Sequence, residues 1–228
     1  MSEIQKMSFP DILNSLTVIS DEEAAEHDRQ LEEAEKKATQ EEVIRRYRKA
    51  VPYRYWQESF GTFDVFSSES KVLLDKVKAY TLEVQAGKFR TLCLIGNAGT
   101  GKTHLACAVI RALGYGTYKL SSEIISDIDR SRSFTASETE PEVIARYGRM
   151  RFLVIDEINR GFKASDEQYM LYQIINARYN NSLPTVLIAN NTKTDFYKFL
   201  GNAVLDRLQE SGITAEAGGE SYRARKRQ

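Results

Sequence analysis

Cysteine is scarce in this chain of 228 residues, which contains only Cys93 and Cys107. Two cysteines cannot supply a disulfide framework, and these two lack the close spacing of the cysteine ligands of a zinc module. Both cysteines lie in segments predicted to be buried, one in a core strand and one on a helix, so we expect reduced packing residues. The sequence therefore excludes disulfide-rich and zinc-finger classes of protein.

The chain also lacks an excess of charge and a long apolar run. Lys and Arg together number 32, as do Asp and Glu, so no global basic charge indicates nucleic-acid binding. No apolar segment approaches the length of a membrane span, and the N-terminus has no secretory apolar region. These absences predict a cytoplasmic protein without a membrane partner.

What the chain does have is a glycine-rich loop in the stretch TLCLIGNAGTGKTHLACAV. The pattern G-x-x-x-x-G-K-[ST] arranges backbone N–H groups around a phosphate, and the following helix points its N-terminus at the anion. The lysine would reach the β- and γ-phosphates, and the threonine hydroxyl would bind Mg²⁺. A tight strand–helix connection is the alternative, but the full pattern favours ATP binding by Gly96, Asn97, Ala98, Gly99, Thr100, Gly101, Lys102 and Thr103.

A second apolar run, RFLVIDE, ends in two carboxylates, Asp156 and Glu157. Such a run is typical of a buried parallel strand, whose carboxyl end would face the glycine-rich loop. Asp156 would then bind Mg²⁺ directly or through water, and Glu157 would accept a proton from the attacking water. The plainer alternative is a core strand followed by a solvated acidic turn.

Strands and helices alternate along most of the chain, which predicts an α/β fold with a parallel central sheet between helical layers. The composition changes abruptly to aromatic residues in KAVPYRYWQESFGTFD, and this change divides a helical N-terminal extension, 1–50, from an α/β domain, 51–228. Within the domain we predict helices over 70–85 and 102–113, strands over 92–95, 117–120 and at the carboxylate pair, then a helix in DEQYMLYQIINARYNN and a strand in PTVLIANN.

Further polar residues follow the later elements. Asn190 and Asn191 end the apolar strand PTVLIANN, where an amide would orient the attacking water, although common turn chemistry explains the pair as well. Arg207 lies in the predicted helix FLGNAVLDRLQES, and the C-terminal stretch SYRARK contains Arg223. A surface ion pair with a neighbouring carboxylate is the alternative explanation for Arg207.

Together these motifs resemble the AAA+ ATPases, which are P-loop NTPases with a three-layer αβα sandwich, and among them the bacterial and phage replicative helicase loaders of the DnaC/DnaI type. The resemblance covers about 51–225 and includes VPYRYWQESFGTFD, GNAGTGKTHLACAV, LVIDEI and PTVLIAN. LGNAVLDRL followed closely by SYRAR is the combination that favours loaders. The resemblance implies a Mg²⁺-dependent ATPase that places a hexameric replicative helicase on single-stranded DNA.

The resemblance also implies a role for each matching residue. Lys102 and Thr103 resemble the Walker A contacts, and Asp156 and Glu157 resemble the Walker B pair. Asn190 resembles sensor 1, with Asn191 in its place if the register slips by one. Arg207 resembles the arginine finger, offered to the ATP of a neighbouring subunit, and Arg223 resembles the sensor 2 arginine. A finger supplied by a neighbour implies self-association into an ATP-bridged spiral or ring, and weak hydrolysis by a lone protomer.

The segment between the second core strand and Asp156 is longer than a plain crossover, and in loaders the corresponding insertion contacts single-stranded DNA. Arg130 and Arg132 would neutralise phosphates there, while Phe134 would stack on a base or pack. Several carboxylates share the segment, so a solvated loop explains it equally well. Tyr55 and Trp56 fall where related proteins cradle the adenine, and aromatic packing under the sheet is their alternative.

The N-terminal extension is expected to begin with a short amphipathic helix capped by Ser8. Its apolar face consists of Phe9, Ile12, Leu13 and Leu16, and we expect this face to bind the replicative helicase. Acidic residues outnumber basic ones over 21–42, which disfavours a grip on DNA by this part of the chain.

Two other functions share parts of the pattern. The ATP-dependent helper of insertion-sequence transposition has nearly all the same motifs and acts on duplex DNA to direct a transposase. A P-loop kinase of small molecules is disfavoured by Glu157, by the asparagine after PTVLIA and by the two arginines of SYRARK, Arg223 and Arg225. A scaffold that does not hydrolyse ATP is disfavoured by the intact Lys102 and Glu157.

Overall fold

The structure is a computed structural model, and it describes residues 21–159, 164–219 and 222. The chain divides into two compact units, Met1–Ile44 and Arg45–Gln228. The expected amphipathic helix with Phe9, Ile12, Leu13 and Leu16 lies outside the described residues. Among the helices that are described, none is long and apolar enough to cross a membrane.

The first described element is a charge-rich helix, α1, over Asp21–Ala50. Leu31 in this helix is half exposed. Tyr47, by contrast, is buried in the core of the second unit together with Val51. The boundary between the units therefore falls inside α1, a few residues before the boundary expected after residue 50.

The second unit alternates helices and strands after a short 3-10 turn at Tyr53–Tyr55. Its helices are α2 Ser68–Gln85, α3 Lys102–Leu113, α4 Ser121–Ser131, α5 Glu140–Gly148, α6 Ala164–Asn180, α7 Lys193–Leu200 and α8 Asn202–Ser211. Its strands are β1 Thr91–Gly96, β2 Thr117–Leu120, β3 Leu153–Ile158, β4 Thr185–Ala189 and β5 Gly212–Ala217.

The five strands form one parallel sheet in the order β2-β3-β4-β1-β5. Alternate side chains of β1 point to opposite faces: Leu92 and Leu94 pack in one core cluster, Cys93 and Ile95 in the other. The first cluster also contains residues of α2 and α3, and the second contains residues of α4 to α8. This arrangement confirms the predicted αβα sandwich with a parallel central sheet.

Three features differ from the sequence expectations. The stretch FLGNAVLDRLQES does not form one helix, because Gly201 has a φ of 76° and separates α7 from α8. The long segment after β2 contains two helices, α4 and α5. The edge strand β5 was not predicted, because its sequence GITAEA is short and only partly buried, and so lacks a strong apolar pattern.

Candidate nucleotide-binding site

A pocket of about 480 Å³ opens at the carboxyl ends of the sheet strands. Ligands of open parallel sheets bind at this edge, because the loops after the strands and the N-termini of the helices meet there. The pocket is lined by Arg54, Tyr55, Glu58, Ala98, Gly99, Gly101, Lys102, Thr103, His104, Tyr118, Asp156, Glu157, Asn190 and Tyr222. Most of the residues expected for ATP and Mg²⁺ are thus brought together.

The glycine-rich loop between β1 and α3 has two positions that only glycine fits. Gly96 has a φ of 130°, and a Cβ there would lie 2.3 Å from the Ala217 carbonyl oxygen of β5. Gly101 has a φ of 89°, and a Cβ there would lie 2.5 Å from the ring of Phe63. These glycines therefore allow both the turn and the close approach of neighbouring segments.

Lys102 begins α3 and is 3% exposed. Its ammonium group donates to the Gly96 carbonyl at 2.8 Å and to the Asn97 carbonyl at 2.6 Å. The Thr100 hydroxyl also donates to the Asn97 carbonyl, at 2.8 Å. The loop thus wraps around the Lys102 ammonium group. This positive charge, together with the N-terminus of α3, makes the pocket suitable for an anionic phosphate.

Asp156, at the carboxyl end of β3, collects hydrogen bonds from two other segments. Its Oδ2 accepts from the Thr103 hydroxyl at 2.7 Å and from the Tyr118 hydroxyl at 2.9 Å. Burial, followed by the charge on Asp156, raises the pKa of Tyr118, so this hydroxyl stays protonated and donates. A carboxylate that is 2% exposed is therefore held beside the glycine-rich loop.

The donor set fits Mg²⁺ held together with phosphate groups. Thr103 and Asp156 offer hard oxygen atoms within hydrogen-bond distance of each other. Among the described residues, no cluster of three or more His, Cys, Asp or Glu side chains is placed to hold a metal ion. Because Mg²⁺ is usually held by one or two protein ligands plus substrate phosphates, this sparse set matches its preference.

Glu157 lines the pocket in an unusual backbone conformation. Its φ is 58°, a left-handed value that costs a non-glycine residue roughly 1 to 3 kcal/mol. The pairing of β3 with β4 shifts register between Ile155 and Ile158, and the backbone N–H of Glu157 donates to Asp156 Oδ1 at 2.6 Å. The irregularity directs two consecutive carboxylates, Asp156 and Glu157, toward one pocket.

Asn190 lines the same pocket from the end of β4. Asn191, which the sequence left open as a substitute, is not among the described residues that line it. Arg223 lies outside the described residues. Tyr222, directly before it, donates its backbone N–H to the Gly99 carbonyl at 3.0 Å and stacks on Phe66 with ring centroids 6.2 Å apart. The chain next to Arg223 therefore contacts the glycine-rich loop.

Sequence reasoning missed several residues of the pocket wall. His104 follows Thr103 in α3; its Nδ1 lies 2.7 Å from Glu58 Oε2, and its Nε2 lies 2.8 Å from the Ser59 carbonyl. These contacts tie the aromatic segment before α2 to the glycine-rich loop. The position of His104 next to the motif was a signal. Its partner Glu58, 46 residues upstream, was not predictable from the sequence, since that pairing depends on the tertiary fold.

The two aromatic residues considered for adenine are placed differently. Tyr55 lines the pocket, and burial raises the pKa of its hydroxyl. Trp56 is not among the described lining residues, and its indole N–H donates to the carbonyls of Arg48 at 3.1 Å and Val51 at 3.3 Å. Trp56 therefore packs within the second unit, against the residues just before the 3-10 turn.

Arg207 lies on α8, outside the set of described residues that line the pocket. Its guanidinium donates to the Asn176 side chain and sits 5.7 Å from the Tyr172 ring centroid and 5.5 Å from that of Tyr179. Its buried Nε has no hydrogen-bond partner among the described residues. Glu210, a carboxylate close to Arg207 in the sequence, accepts a hydrogen bond from the Tyr179 hydroxyl.

The residues expected at single-stranded DNA lie at and after the end of α4. Arg130 pairs with Asp127, and Arg132 pairs with Asp129 at 3.1 Å and with Glu140 at 2.8 Å. Phe134 is fully exposed, so it does not pack in this chain. The two arginines are thus partly neutralised by local carboxylates, whereas an aromatic ring is presented to solvent.

Comparison with known proteins agrees with this geometry. Over 171 residues, 73% of this chain and 69% of the other, the sequence is 26% identical to the replicative helicase loader DnaC of Escherichia coli strain K12. It is 28% identical over 143 residues to the insertion sequence IS21 ATP-binding protein of Pseudomonas aeruginosa, of which the match covers 52%. Among solved structures, the DnaC helicase loader superposes with a TM-score of 0.65 at 19% identity, covering 73% of this chain and 100% of that one.

These likenesses confirm the AAA+ fold and the resemblance to helicase loaders. A sequence model of the family of IstB-like ATP binding proteins also matches residues 1–228. Because that match runs along the whole sequence, the chain belongs to the family of IstB-like ATP binding proteins.

Proposed function

We propose that this protein is an ATP-dependent loader of the replicative DNA helicase, an ATPase that assembles on single-stranded DNA and controls the helicase through its nucleotide state. The observation that carries the proposal is the convergence of Lys102, Asp156, Glu157 and Asn190 on one pocket, in a chain similar to DnaC over 73% of its length. Fold alone would not support a function, but the side chains in this pocket suit phosphate hydrolysis.

The proposed chemistry assigns one task to each side chain. Lys102 and the backbone N–H groups of the loop bind the β- and γ-phosphates. Mg²⁺, held by Thr103, Asp156 and the phosphates, neutralises charge on the phosphate oxygens when it is bound. Glu157 accepts a proton from the attacking water, and the Asn190 amide orients that water.

Replacing Glu157 by Gln tests the hydrolytic step. Loss of a general base slows a reaction by about 10²- to 10⁴-fold, while the neutral amide keeps the shape of the site. We therefore expect Glu157→Gln to bind a fluorescent ATP analogue normally and to lose at least 100-fold of its phosphate release. Equal hydrolysis by Glu157→Gln and the parent protein would remove Glu157 from this role.

We further propose that Arg207 acts on the ATP of a neighbouring protomer. Its place on α8, among Tyr172, Tyr179 and Asn176 and away from the lining of its own pocket, supports a role in trans. A finger arginine contributes about 10³- to 10⁵-fold in rate by analogy with other fingers. Self-association into a spiral or ring follows from this proposal, because only an assembly completes the site.

Complementation between two inactive variants tests that arrangement. Arg207→Ala keeps its own phosphate loop, and Lys102→Ala keeps its Arg207. If the arginine acts in trans, a mixture of the two variants restores part of the ATPase activity that each lacks alone. An inactive mixture in which both variants still co-assemble, as measured by sedimentation, would contradict the arrangement.

Helicase loading is tested with the replicative helicase of the host genome and circular single-stranded DNA. We expect ATP and this protein together to increase the amount of helicase recovered on the circle, and Glu157→Gln to alter that amount. A variant lacking residues 8–16 should still bind ATP but fail to capture helicase, because the predicted Phe9, Ile12, Leu13 and Leu16 face is then missing. Normal helicase capture by this variant would exclude that face as the binding surface.

A helper role in transposition is the second candidate. The family match to IstB-like proteins and the 28% identity to the IS21 protein favour it. Duplex DNA and single-stranded DNA of the same length distinguish the two functions. Stronger stimulation of the ATPase by single strands, together with helicase capture, supports the loader, whereas stronger stimulation by duplex with no helicase capture supports the transposition helper.

A further inference from the structure

Tyr118 is a pocket residue to which neither the sequence motifs nor the proposed chemistry assigns a role. It lies in β2, the strand paired with β3, which carries Asp156. The Tyr118 side chain lines the pocket and is 8% exposed, and its hydroxyl donates to Asp156 Oδ2 at 2.9 Å. Thr103 donates to the same oxygen from the opposite segment at 2.7 Å.

The hydrogen bonds around Asp156 leave its carboxylate little freedom. An ionised carboxylate has about four acceptor positions. Two hydroxyls occupy positions on Oδ2, and the backbone N–H of Glu157 occupies one on Oδ1. With three positions taken, the plane of the carboxylate is fixed by three different segments of the chain, namely β2, the start of α3 and the end of β3.

Packing holds the Tyr118 ring independently of its hydroxyl. The ring belongs to the core cluster that includes Phe152, and its centroid lies 6.3 Å from that of Tyr55. Tyr55 is held in turn, because the Tyr47 hydroxyl donates to its carbonyl at 2.7 Å. A phenylalanine at position 118 therefore keeps the apolar contacts and removes only the hydrogen bond to Asp156.

The geometry points to Tyr118 as a positioning residue that orients the Asp156 carboxylate toward the divalent cation accompanying ATP. This inference rests on the proposed nucleotide function. Without the hydroxyl, one of the three hydrogen bonds that fix the carboxylate is lost and the bonds from Thr103 and Glu157 remain. The carboxylate then rotates over a wider range about its Cβ–Cγ bond, so part of its population no longer faces the cation. Outer partners of metal ligands typically contribute about 10- to 100-fold to metal affinity or activity.

The test measures cation dependence rather than turnover. Binding of a fluorescent ATP analogue to the full-length Tyr118→Phe variant is titrated with Mg²⁺, and its affinity is also measured in EDTA. The matched control is Tyr147→Phe, because Tyr147 is likewise buried and its hydroxyl also donates to an aspartate, Asp127, away from the nucleotide pocket. We expect the Mg²⁺ midpoint of Tyr118→Phe to rise about 10-fold, with the EDTA affinity unchanged. The control should keep both values.

Each other outcome overturns the inference in a distinguishable way. An unchanged Mg²⁺ midpoint in Tyr118→Phe, with normal Mg²⁺-dependent binding by the parent protein, removes Tyr118 as a positioning residue and leaves the proposed function in place. Equal weakening in Mg²⁺ and in EDTA shows general damage to the pocket and likewise refutes the inference. Failure of the parent protein to bind the analogue under either condition overturns the proposed function together with the inference.

Discussion

Two buried cations at opposite ends of the sheet have the same charge but different surroundings. Lys102, at the carboxyl end of the strands, is 3% exposed, and Arg178, in the helix that leads to the amino end of β4, is 1% exposed. Lys102 forms part of the wall of an open pocket. Arg178 is instead surrounded by hydrogen-bond acceptors of the protein itself. Both cations are buried, but Lys102 is placed to bind a ligand and Arg178 has a structural role.

The partners of Arg178 are all uncharged. Its guanidinium donates to the Thr185 hydroxyl at 2.7 Å and to the carbonyls of Tyr147, Met150 and Pro184 at 2.7 to 2.8 Å. Burial lowers the pKa of Arg178 to about 10. These acceptors come from two regions of the chain, the end of α5 with its connection to β3 and the connection from α6 to β4. The arginine joins the two regions at the cost of its own desolvation.

The comparison teaches that burial and charge alone do not identify a binding site. Arg178 has its donors satisfied by groups that the fold keeps in place, so no ligand is needed. Lys102 and the loop that it holds face a pocket with room for a ligand. What distinguishes the residues is the space next to the charged group, which is a property of the tertiary structure.

The largest expected effect on folding is that of Arg178→Met. This change leaves several buried carbonyl oxygens without a donor, and each unsatisfied group costs about 1 to 3 kcal/mol. We expect the free energy of unfolding to fall by about 3 to 5 kcal/mol, as measured by chemical denaturation. Arg149→Met, at an exposed position just after α5, is the control and should change it by less than about 0.5 kcal/mol. Equal midpoints for the two variants would remove the structural role of Arg178.

Lys102→Ala is expected to have the opposite profile. It removes a charged donor from the phosphate site, so affinity for an ATP analogue should fall by about 100-fold, which corresponds to roughly 2.7 kcal/mol. The free energy of unfolding should change by only about 1 kcal/mol, because water can reach the loop carbonyls that the lysine leaves. Parallel binding and denaturation measurements check both expectations. If Lys102→Ala lowered the free energy of unfolding as much as Arg178→Met does, the distinction between a binding cation and a structural cation would be wrong.

The smallest expected effect is that of the double change Arg130→Ala and Arg132→Ala. Local carboxylates compete with DNA phosphates for these two arginines, so we expect affinity for single-stranded DNA to fall about threefold to tenfold at moderate salt. Preferential ATPase stimulation by single strands should be lost with it. Lys76→Ala with Lys78→Ala, on the exposed side of α2, removes the same charge as a control. Equal losses in both double variants would indicate a general charge effect and no local DNA contact.

Sequence patterns were sufficient for the elements with strong periodicity. Helix α3 and strand β2 have the predicted bounds, because the apolar stripe that ends before Gly114 and the short run TYKL that begins after Gly116 are local signals. Strand β5 escaped prediction because it lies at an edge of the sheet and is only partly buried. Its place beside β1 explains why Gly96 cannot carry a side chain, a contact that the motif alone did not reveal.

The motif residues of the candidate site were predictable from the sequence, but the contacts between them were not. The sequence indicated Lys102, Thr103, Asp156 and Glu157. It also indicated Asn190, with Asn191 as its substitute, and Asn190 is the one of the two that lines the pocket. Nothing in the sequence indicated that Tyr118 belongs to the site, because tyrosine is common in strands as a packing residue. Its role depends on the pairing of β2 with β3.

By itself the sequence determined the class of fold, the glycine-rich loop and the chemical types of the groups near it, since these follow from local conformational preferences and apolar periodicity. The tertiary structure decided which groups meet. Thr103 and Asp156 are 53 residues apart along the chain, and Tyr118 and Asp156 are 38 apart. The hydroxyls of Thr103 and Tyr118 nevertheless both donate to the same oxygen atom, Asp156 Oδ2. Only the parallel order of the strands, which is set by burial of both faces of the sheet, brings those distant groups to one edge.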